Sequence, residues 1–478
     1  MKYFALISLM LFLMMTGCAS SGNNNKSQSG EENKSRSGQL TDEQLLDSVQ
    51  YRTFQYFWDG AESNSGLAPE RYHEDGEYPQ NDKDIVTAGG SGFGLMAVLV
   101  GIERGFINRD EGFQRFQKIV NFLEKADRFH GAWPHWLNGK TGEVKPFSKN
   151  DDGGDLVETA FLVQGLLAVK QYFIDGNEEE QALADKIDQL WREVEWDWYT
   201  QNGENVLYWH WSPNYGWEKD HQITGYNECL ITYVLAASSP THAVDPEVYH
   251  EGWAGNGEIS VNNTTFGYTL KLKHHTDPQK GGPLFWAHYS WLGLDPRGLT
   301  DQYADYWEHN VAHTMINRQH CINNPRDYKG YGEDCWGLTA SYSVPGAARY
   351  FRGQTDEKPE NGNSGNTGYA AHHPSFDLGV ITPTAALSSF PYAPDEAMKV
   401  VRHLYEDKND QLWGEYGFYD AFSEEYEWYP RRYLAIDQGP IPVMIENHRS
   451  GLLWNLFMQN EDVLNGLKKL GFDSPHFE

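Results

Sequence analysis

The sequence predicts an all-α fold in which about six helix pairs close into an (α/α)6 toroid. Two observations favour this fold. Apolar helices alternate with amphipathic ones, and the apolar helices begin after Gly-rich or polar loops at intervals of roughly fifty to seventy residues. No run of β-alternation is as strong as the helical pattern, which argues against a β-propeller or a sandwich. We expect inserted loops, with a short β-hairpin at "GEISVNNTTFGYTLKLK".

The N-terminal segment is predicted to lie outside this fold. "MKYFALISLMLFLMMTG" has a lysine, an apolar run too short to span a membrane as a stable helix, and small residues before Cys18. We interpret residues 1–17 as a lipoprotein signal peptide and Cys18 as the lipidated residue, which anchors the protein to a bacterial envelope membrane. Residues 18–40 contain almost nothing that can be buried, which predicts a flexible tether. Residues 41–478 are predicted to form one large domain.

The first helix of that domain is predicted at "TDEQLLDSVQYRTFQYFWDG", which has a capping box from Thr41 to Gln44. Two helix pairs follow. They are "TAGGSGFGLMAVLVGIERG" with "NRDEGFQRFQKIVNFLEKADRF", and the helix from Asp155 with "EEEQALADKIDQLWREVEW". The first helix of each pair is apolar on nearly all sides and the second carries charges on one face, which predicts inner and outer helices.

Further inner helices are predicted to begin in four segments: "GYNECLITYVLAAS", "GEDCWGLTASYS", "ITPTAALSSF" and "DQGPIPVMIENHRSGLLW". In a closed ring, the loops that precede the inner helices meet at one end. We therefore expect the polar side chains of these loops to share a central pocket.

Charge and aromatic content narrow the ligand class. The formal net charge of −30 argues against nucleic acid and against an acidic polysaccharide. The chain has 17 tryptophans, many of them in loop-like segments such as "GAWPHW", "LYWHWSPNYGW" and "PLFWAHYSW". Core packing accounts for some of them. Tryptophans in polar loops favour a carbohydrate ligand, because an apolar ring face stacks on the C–H face of a sugar.

The sequence gives no reason to expect a cofactor or a metal. Neither a CxxC nor an HExxH spacing is present, so zinc has no support, while the scattered carboxylates leave calcium open. Apart from Cys18, the cysteines are Cys229, Cys321 and Cys335, which permit one disulfide and a spare. Cys321 with Cys335 is the candidate pair, and the sequence leaves open whether they pair.

Carboxylates cluster at the predicted inner-helix starts. Asp151, Asp155 and Glu158 surround the start of one apolar helix and exceed what a helix cap needs. Other candidates are Glu228 in "GYNECL", Asp437 in "LAIDQGP" and Asp420 in "GEYGFYDAF". Each of them alone could be only a capping residue. Together with the loop tryptophans they favour a saccharide site, because glycoside hydrolysis needs one carboxylic acid and one carboxylate.

The motifs "DDGGDLVETAFLVQGLLA", "GYNECLITYVLAASSPTH", "PLFWAHYSWLGLD", "YGEDCWGLTAS" and "GEYGFYDAF" resemble the glycoamylase-like domain of glycoside hydrolase family 144. The resemblance spans nearly all of residues 41–478. It implies an (α/α)6 glycoside hydrolase that cleaves β-1,2-glucan or β-1,2-glucooligosaccharides with inversion, either as an endo enzyme or as an exo enzyme that releases sophorose. The family's important acidic residues fall on Asp151, Asp155, Glu158 and Glu228.

We therefore assign an expected role to each candidate site residue. We expect Glu228 to be the general acid and Asp420, in preference to Asp437, the general base, with Asp155 and Glu158 in the same catalytic group. The residues expected to bind substrate are Asp151, Trp286, His288, Trp336, Tyr416 and Asp437. The expected partners are the glucan and, through the lipid, a membrane; nucleic acid is excluded and a monomer is expected. Because "ASSGNN" after Cys18 has no early acidic residue, resemblance to lipoproteins of Bacteroidetes-like bacteria implies that the protein faces the periplasm.

Three alternatives carry less support. A non-catalytic glycan-binding lipoprotein would share the anchor, the helices and the aromatic residues, but such binders usually repeat at about 34 residues. A glucoamylase acting on α-glucans is a second alternative. A toroid polysaccharide lyase is disfavoured because it needs basic residues against an acidic sugar, and the chain has 68 acidic and only 38 basic residues.

Overall fold

The computed structural model describes residues 40–74, 83–359 and 367–477. The predicted signal peptide, Cys18 and nearly all of the predicted tether lie outside these residues. The chain from Asp42 onward forms one compact unit. Its α-helices are α1 (Asp42–Trp58), α2 (Ala88–Glu103), α3 (Arg109–Leu123), α4 (Leu156–Phe173), α5 (Glu178–Arg192), α6 (Leu230–Ser238), α7 (Tyr306–Asn323), α8 (Ala347–Phe351), α9 (Pro383–Leu387), α10 (Pro394–Glu406), α11 (Asn409–Leu412), α12 (Ala435–Gln438), α13 (Pro440–Arg449), α14 (Leu452–Phe457) and α15 (Glu461–Lys469).

Six inner segments close a ring in the part of the chain that the structure describes. Their order is α2, α4, α6, the short helical turns Leu284–Ala287 and Tyr289–Trp291, α9, and α13, which packs on α2. A hydrogen bond of 3.0 Å between His288 Nε2 and Ser389 Oγ joins the fourth segment to the loop after α9. The outer helices α3, α5, α15, α7, α10 and α1 pack on these segments in the same order. The predicted (α/α)6 toroid is therefore confirmed.

Glycines let α2 and α4 pack closely. A Cβ atom on Gly92 would lie 2.2 Å from the carbonyl oxygen of Phe161, and one on Gly165 would lie 2.1 Å from the carbonyl oxygen of Gly92. Any larger side chain would push the two helices apart. The run "GGSGFG" at the start of α2 thus lets two inner helices approach backbone to backbone.

The strands are short and lie mostly in the loops of the ring. They are β1 (Arg71–His73), β2 (Ile85–Thr87), β3 (Trp136–Asn138), β4 (Val144–Lys145), β5 (Gly154–Asp155), β6 (His210–Trp211), β7 (Ser260–Thr265), β8 (Tyr268–Leu272), β9 (Ala340–Ser343), β10 (Gly368–Ala371), β11 (Trp413–Gly414), β12 (Gly417–Phe418) and β13 (Arg432–Leu434). They pair antiparallel as β1 with β13, β2 with β3 and β4, β5 with β6, β7 with β8, β9 with β10, and β11 with β12.

Most predicted elements are present. Helices α1 to α5 lie where the sequence pattern placed them, and β7 with β8 forms the predicted hairpin. The inner helix predicted at "GEDCWGLTASYS" is wrong, because Ala340–Ser343 forms strand β9. Gly337 in that segment has a φ of +131°, which breaks helical geometry before the Thr, Ser and Tyr residues that follow. The fourth inner segment comes instead from "PLFWAHYSW".

Cys229, Cys321 and Cys335 are all buried and all free. The candidate disulfide between Cys321 and Cys335 is therefore not formed. Over the described ranges, no helix is both long enough and apolar enough to cross a membrane.

Candidate active site

A cavity of about 490 Å³ lies where the inner segments begin. Its wall includes Thr87 before α2, Glu158 in α4, Glu228 before α6, Phe285 in the fourth inner segment and Ile436 in α12. The predicted convergence of inner-helix starts on one pocket is thus seen in the geometry. The volume is within the range of about 300–1,000 Å³ typical of small-molecule sites. The aromatic residues that line it are Trp136, Phe147, Phe161, Trp209, Phe285, Tyr289, Tyr342 and Tyr369.

Asp155 and Glu158 are placed by the first turn of α4. Asp155 is the N-cap and accepts hydrogen bonds from the backbone N–H groups of Val157 and Glu158, at 3.1 and 2.9 Å. Glu158 reaches across to α2, where its Oε2 accepts the N–H of Gly89 at 2.8 Å. A Cβ on Gly89 would lie 2.5 Å from that oxygen, so this contact needs glycine. Asp155 therefore caps α4 through Oδ1, and its other oxygen, Oδ2, lies against a second residue.

That partner is His135, which the sequence did not single out. Its Nδ1 lies 3.0 Å from Asp155 Oδ2. Burial alone would lower the pKa of His135, but the negative charges of Glu158, Asp155 and Asp151 raise it to about 9, so the imidazole is protonated at neutral pH. Burial would raise the pKa of Asp155, but its hydrogen bond to His135 and the nearby His210 hold it below the usual range. Burial and the charge of Asp155 raise the pKa of Glu158 to about 7, although His135 opposes them.

Asp151 belongs to a neighbouring buried cluster. Its Oδ2 accepts a hydrogen bond from Lys219 Nζ at 2.8 Å and lies 3.3 Å from His210 Nε2. Lys219 Nζ is also 3.5 Å from His210 Nε2. Burial lowers the pKa of His210 to about 4, so this histidine is neutral. Asp151 is not part of the cavity wall, and a lysine ammonium already neutralises its charge.

Glu228 lies in the turn two residues before α6 and is half-buried. The indole of Trp286 lies near its carboxylate and favours the ionised form. Burial and the charge of Glu158 raise the pKa of Glu228 to about 7. A carboxyl group at this position can therefore stay protonated close to neutral pH, despite the helix start that follows it.

Asp420 and Asp437 form a buried carboxyl pair behind the cavity wall. Asp420 Oδ2 accepts the backbone N–H of Tyr342 at 2.8 Å, and Asp437 Oδ1 accepts the hydroxyl of Tyr289 at 3.1 Å. Among the described residues, Asp420 Oδ1 and Asp437 Oδ2 have no other hydrogen-bond partner, and the two carboxyl groups shift each other's pKa. Burial and the charge of Asp420 raise the pKa of Asp437 well above its usual range, whereas burial raises that of Asp420 to about 6. Asp437 is thus the protonated partner, which donates to an ionised Asp420.

Tyr289 interacts with both Asp437 and Glu228. Burial raises the pKa of Tyr289 well above its usual range, and the charges of Asp437 and Glu228 both contribute. Sequence reasoning singled out the neighbouring Trp286 and His288, but Phe285 and Tyr289 are the residues of this segment that line the cavity. Phe285 and Tyr289 are four residues apart, a spacing that places two side chains on the same face of a helical turn. This spacing could have indicated that both residues face the same site.

A second missed feature is the ion pair of Glu70 and Arg71, which lines the cavity beside β1. Arg71 Nη2 donates to Glu70 Oε1 at 3.0 Å, and its guanidinium lies 6.0 Å from the ring centre of Trp136. Adjacent charged residues after a polar loop are common on protein surfaces, so no sequence pattern marks this pair as part of a site.

None of the six residues expected to bind substrate lines the cavity, and three of them, Trp336, His288 and Tyr416, are held by other contacts. Trp336 is fully buried, and His288 is buried and held by Ser389. Tyr416 packs among the rings of Tyr56, Tyr72 and Tyr433. A stacking residue needs an exposed ring face, and none of these three side chains presents one to the cavity. Trp286 is also mostly buried, and its contact is with Glu228.

We therefore expect Trp336→Ala to act on stability. Removing a fully buried indole should lower the free energy of unfolding by about 3–5 kcal/mol, measured by urea denaturation. The KM for substrate should change little at a temperature where the variant remains folded. A loss of affinity with unchanged stability would contradict the core position of this side chain.

The chain is similar in sequence to known proteins. Residues 220–461 match the model of the Glycoamylase family, described as "Putative glucoamylase". The chain is 46% identical over 450 residues to an exo β-1,2-glucooligosaccharide sophorohydrolase (non-reducing end) from Parabacteroides distasonis, an alignment that covers 90% of this chain and 58% of that relative. The chain thus spans little more than half the length of this curated relative.

Two solved structures are similar over nearly all of the chain. An endo-β-1,2-glucanase from Chitinophaga pinensis, in complex with sophorotriose and glucose, has a TM-score of 0.86 and 60% identity, covering 92% of this chain and 100% of that one. A β-1,2-glucanase from Parabacteroides distasonis has a TM-score of 0.81 and 45% identity, covering 91% of this chain and 60% of that one.

Proposed function

The chain belongs to the Glycoamylase family, as its sequence motifs predicted, and on this premise we propose that it is a glycoside hydrolase that cleaves β-1,2-linked glucose chains. The observation that carries the proposal is a cavity rich in aromatic residues, whose wall holds three carboxyl groups; two of them, Glu158 and Glu228, each have a pKa raised to about 7. Such groups can donate a proton at neutral pH. The activities of these relatives support β-1,2-glucan as the substrate.

Glu228 is the general acid in this proposal, and it protonates the glycosidic oxygen as the bond breaks. The nearby charge of Glu158 favours the protonated form of Glu228, while His135 holds Asp155 and the N–H of Gly89 holds Glu158. Asp420 is the general base that takes a proton from the attacking water. Because Asp420 lies behind the wall formed by Tyr342, the proton reaches it through a hydroxyl or water relay. Attack on the face opposite the leaving group gives inversion.

The two assigned roles set the pH dependence. Glu228 must be protonated, so its contribution is present at low pH and is lost as the pH rises through about 7. Asp420 must be ionised, so its contribution is lost as the pH falls through about 6. We expect a narrow bell-shaped profile of kcat/KM against pH with its maximum between these values. A flat profile from pH 5 to 8, measured with one soluble substrate, would refute the pair.

The experiment that tests the function is a substrate panel. The purified protein is incubated with linear β-1,2-glucan, starch and a β-1,3-glucan, and reducing ends are measured over time. We expect release from β-1,2-glucan alone. The early products separate the two modes: a spread of sizes indicates endo cleavage, which the 60% identity to an endo enzyme favours, and sophorose alone indicates exo cleavage. Tight binding without release of reducing ends would support a glycan-binding protein instead.

We also propose that residues 41–478 act as one monomeric catalytic domain tethered by a lipid on Cys18 and facing the periplasm. The signal-like segment before Cys18 and the polar stretch after it support this location. Replacing Cys18 with serine should release the protein from the membrane fraction. Protease treatment of intact cells should leave the protein whole, and its degradation while periplasmic markers survive would overturn the location.

A further inference from the structure

A second cluster of possible ligands lies outside the cavity and comes from three separate segments of the chain. Cys335 precedes β9, His403 lies on α10, and Glu424 follows β12. One ligand atom of each lies within 4.8 Å of the others. A thiol, an imidazole and a carboxylate are the three ligand types that zinc takes in proteins.

A carboxylate outside the cluster orients the imidazole. Asp407 Oδ2 lies 2.9 Å from His403 Nδ1. An imidazole that donates Nδ1–H to a carboxylate presents Nε2 as a lone pair, which is how metal-binding histidines are usually held. The pairing therefore prepares His403 to bind a cation through Nε2.

The surroundings attract cations, although they are not purely acidic. A surface cavity of about 340 Å³ next to His403 is lined by the carboxylates Glu333, Asp334, Glu406 and Asp407, with Lys399 and Arg402. Lys408 Nζ lies 2.8 Å from Glu424 Oε1, which leaves Oε2 as the oxygen that can face Cys335 and His403.

A second group of possible metal ligands already has a positive side chain beside it. Asp151, Asp155 and His210 also present ligand atoms within 4.8 Å of one another. There the ammonium of Lys219 lies against both Asp151 and His210 and supplies the positive charge itself. In the cluster of Cys335, Lys408 likewise contacts a member of the cluster, at Glu424 Oε1, but the imidazole of His403 is held by the carboxylate of Asp407.

We propose that Cys335, His403 and Glu424 bind one divalent zinc ion, with Asp407 as the carboxylate that orients His403. Cys335 would bind as a thiolate and release one proton to solvent. The ion would tie α10 to the segment before β9 and to the loop after β12, four residues beyond Asp420. A water molecule would supply the fourth ligand, and the ion's role in holding these segments together is independent of the proposed hydrolysis.

The test uses the purified protein after dialysis against a chelator. Zinc sulfate is titrated in competition with a chromogenic chelator, and we expect one equivalent to bind and to raise Tm. Asp407→Asn should weaken binding by about 10–100-fold, the usual effect of losing such an orienting carboxylate. Cys335→Ser and His403→Gln should abolish it. Cobalt should give a sulfur-to-metal charge-transfer band that is absent in Cys335→Ser.

Cys321→Ser is the matched control, because Cys321 is also buried and free but lies outside the cluster. It should bind zinc as the unmodified protein does. If Cys335→Ser does not fold, His403→Gln decides the question, since that side chain is partly exposed. No zinc binding by the unmodified protein, or binding that survives both substitutions, would overturn the proposal.

Discussion

Replacing Glu228 with glutamine should lower kcat on linear β-1,2-glucan by about 10²–10⁴-fold, the usual contribution of a positioned general acid. Glutamine keeps the size of the side chain but has no acidic proton to give to the leaving oxygen. The substrate should still bind, so KM should change much less than kcat. The alkaline limb of the pH profile, near pH 7, should disappear with the carboxyl group.

Glu247→Gln, on the exposed surface, is the matched control and should retain full activity. Thermal unfolding of both variants shows whether the fold is intact. Near-normal turnover by Glu228→Gln would mean that another carboxyl group, with Glu158 the first candidate, donates the proton.

Asp420→Asn should have an effect of similar size, about 10²–10⁴-fold on kcat, because an amide cannot accept the proton of the attacking water. The acidic limb near pH 6 should be lost as well. The measurement is the pH dependence of kcat for the variant and for the unmodified protein.

Asp437→Asn distinguishes the base from its partner. The amide of asparagine can still donate a hydrogen bond to Asp420, as the protonated Asp437 does, so Asp420 remains ionised. We therefore expect a clearly smaller loss of kcat than in Asp420→Asn. If Asp437→Asn is the more damaging variant, the roles of the two carboxyl groups are reversed.

The helices of the ring could be predicted where their periodicity is long. Helices α1 to α5 each span at least 15 residues, and their apolar patterns are unambiguous. The fourth inner segment is two short turns, Leu284–Ala287 and Tyr289–Trp291, too brief for a periodic signal. The segment "GEDCWGLTASYS" was wrongly predicted as a helix because it ends in the buried strand β9, and a short buried strand cannot be distinguished from a buried helix by periodicity.

The site residues that could be predicted from the sequence are those that lie at the starts of inner helices. Asp155, Glu158 and Glu228 lie at inner-helix starts, so the ring brings them toward one end. His135 and Tyr342 reach the same region from a loop and a strand that are distant in sequence, and no local pattern marks such contacts. The cluster of Cys335, His403 and Glu424 was missed for the same reason, since metal motifs are recognised by short spacing.

Proton NMR of the first minutes of digestion of linear β-1,2-glucan by the purified protein tests inverting hydrolysis directly. We expect new reducing ends to appear first as the α-anomer and then to equilibrate, because inversion at a β-linkage gives an α-product. New ends that appear first as the β-anomer would contradict the assignment of Glu228 and Asp420 as acid and base, and no new ends at all would contradict the hydrolysis itself.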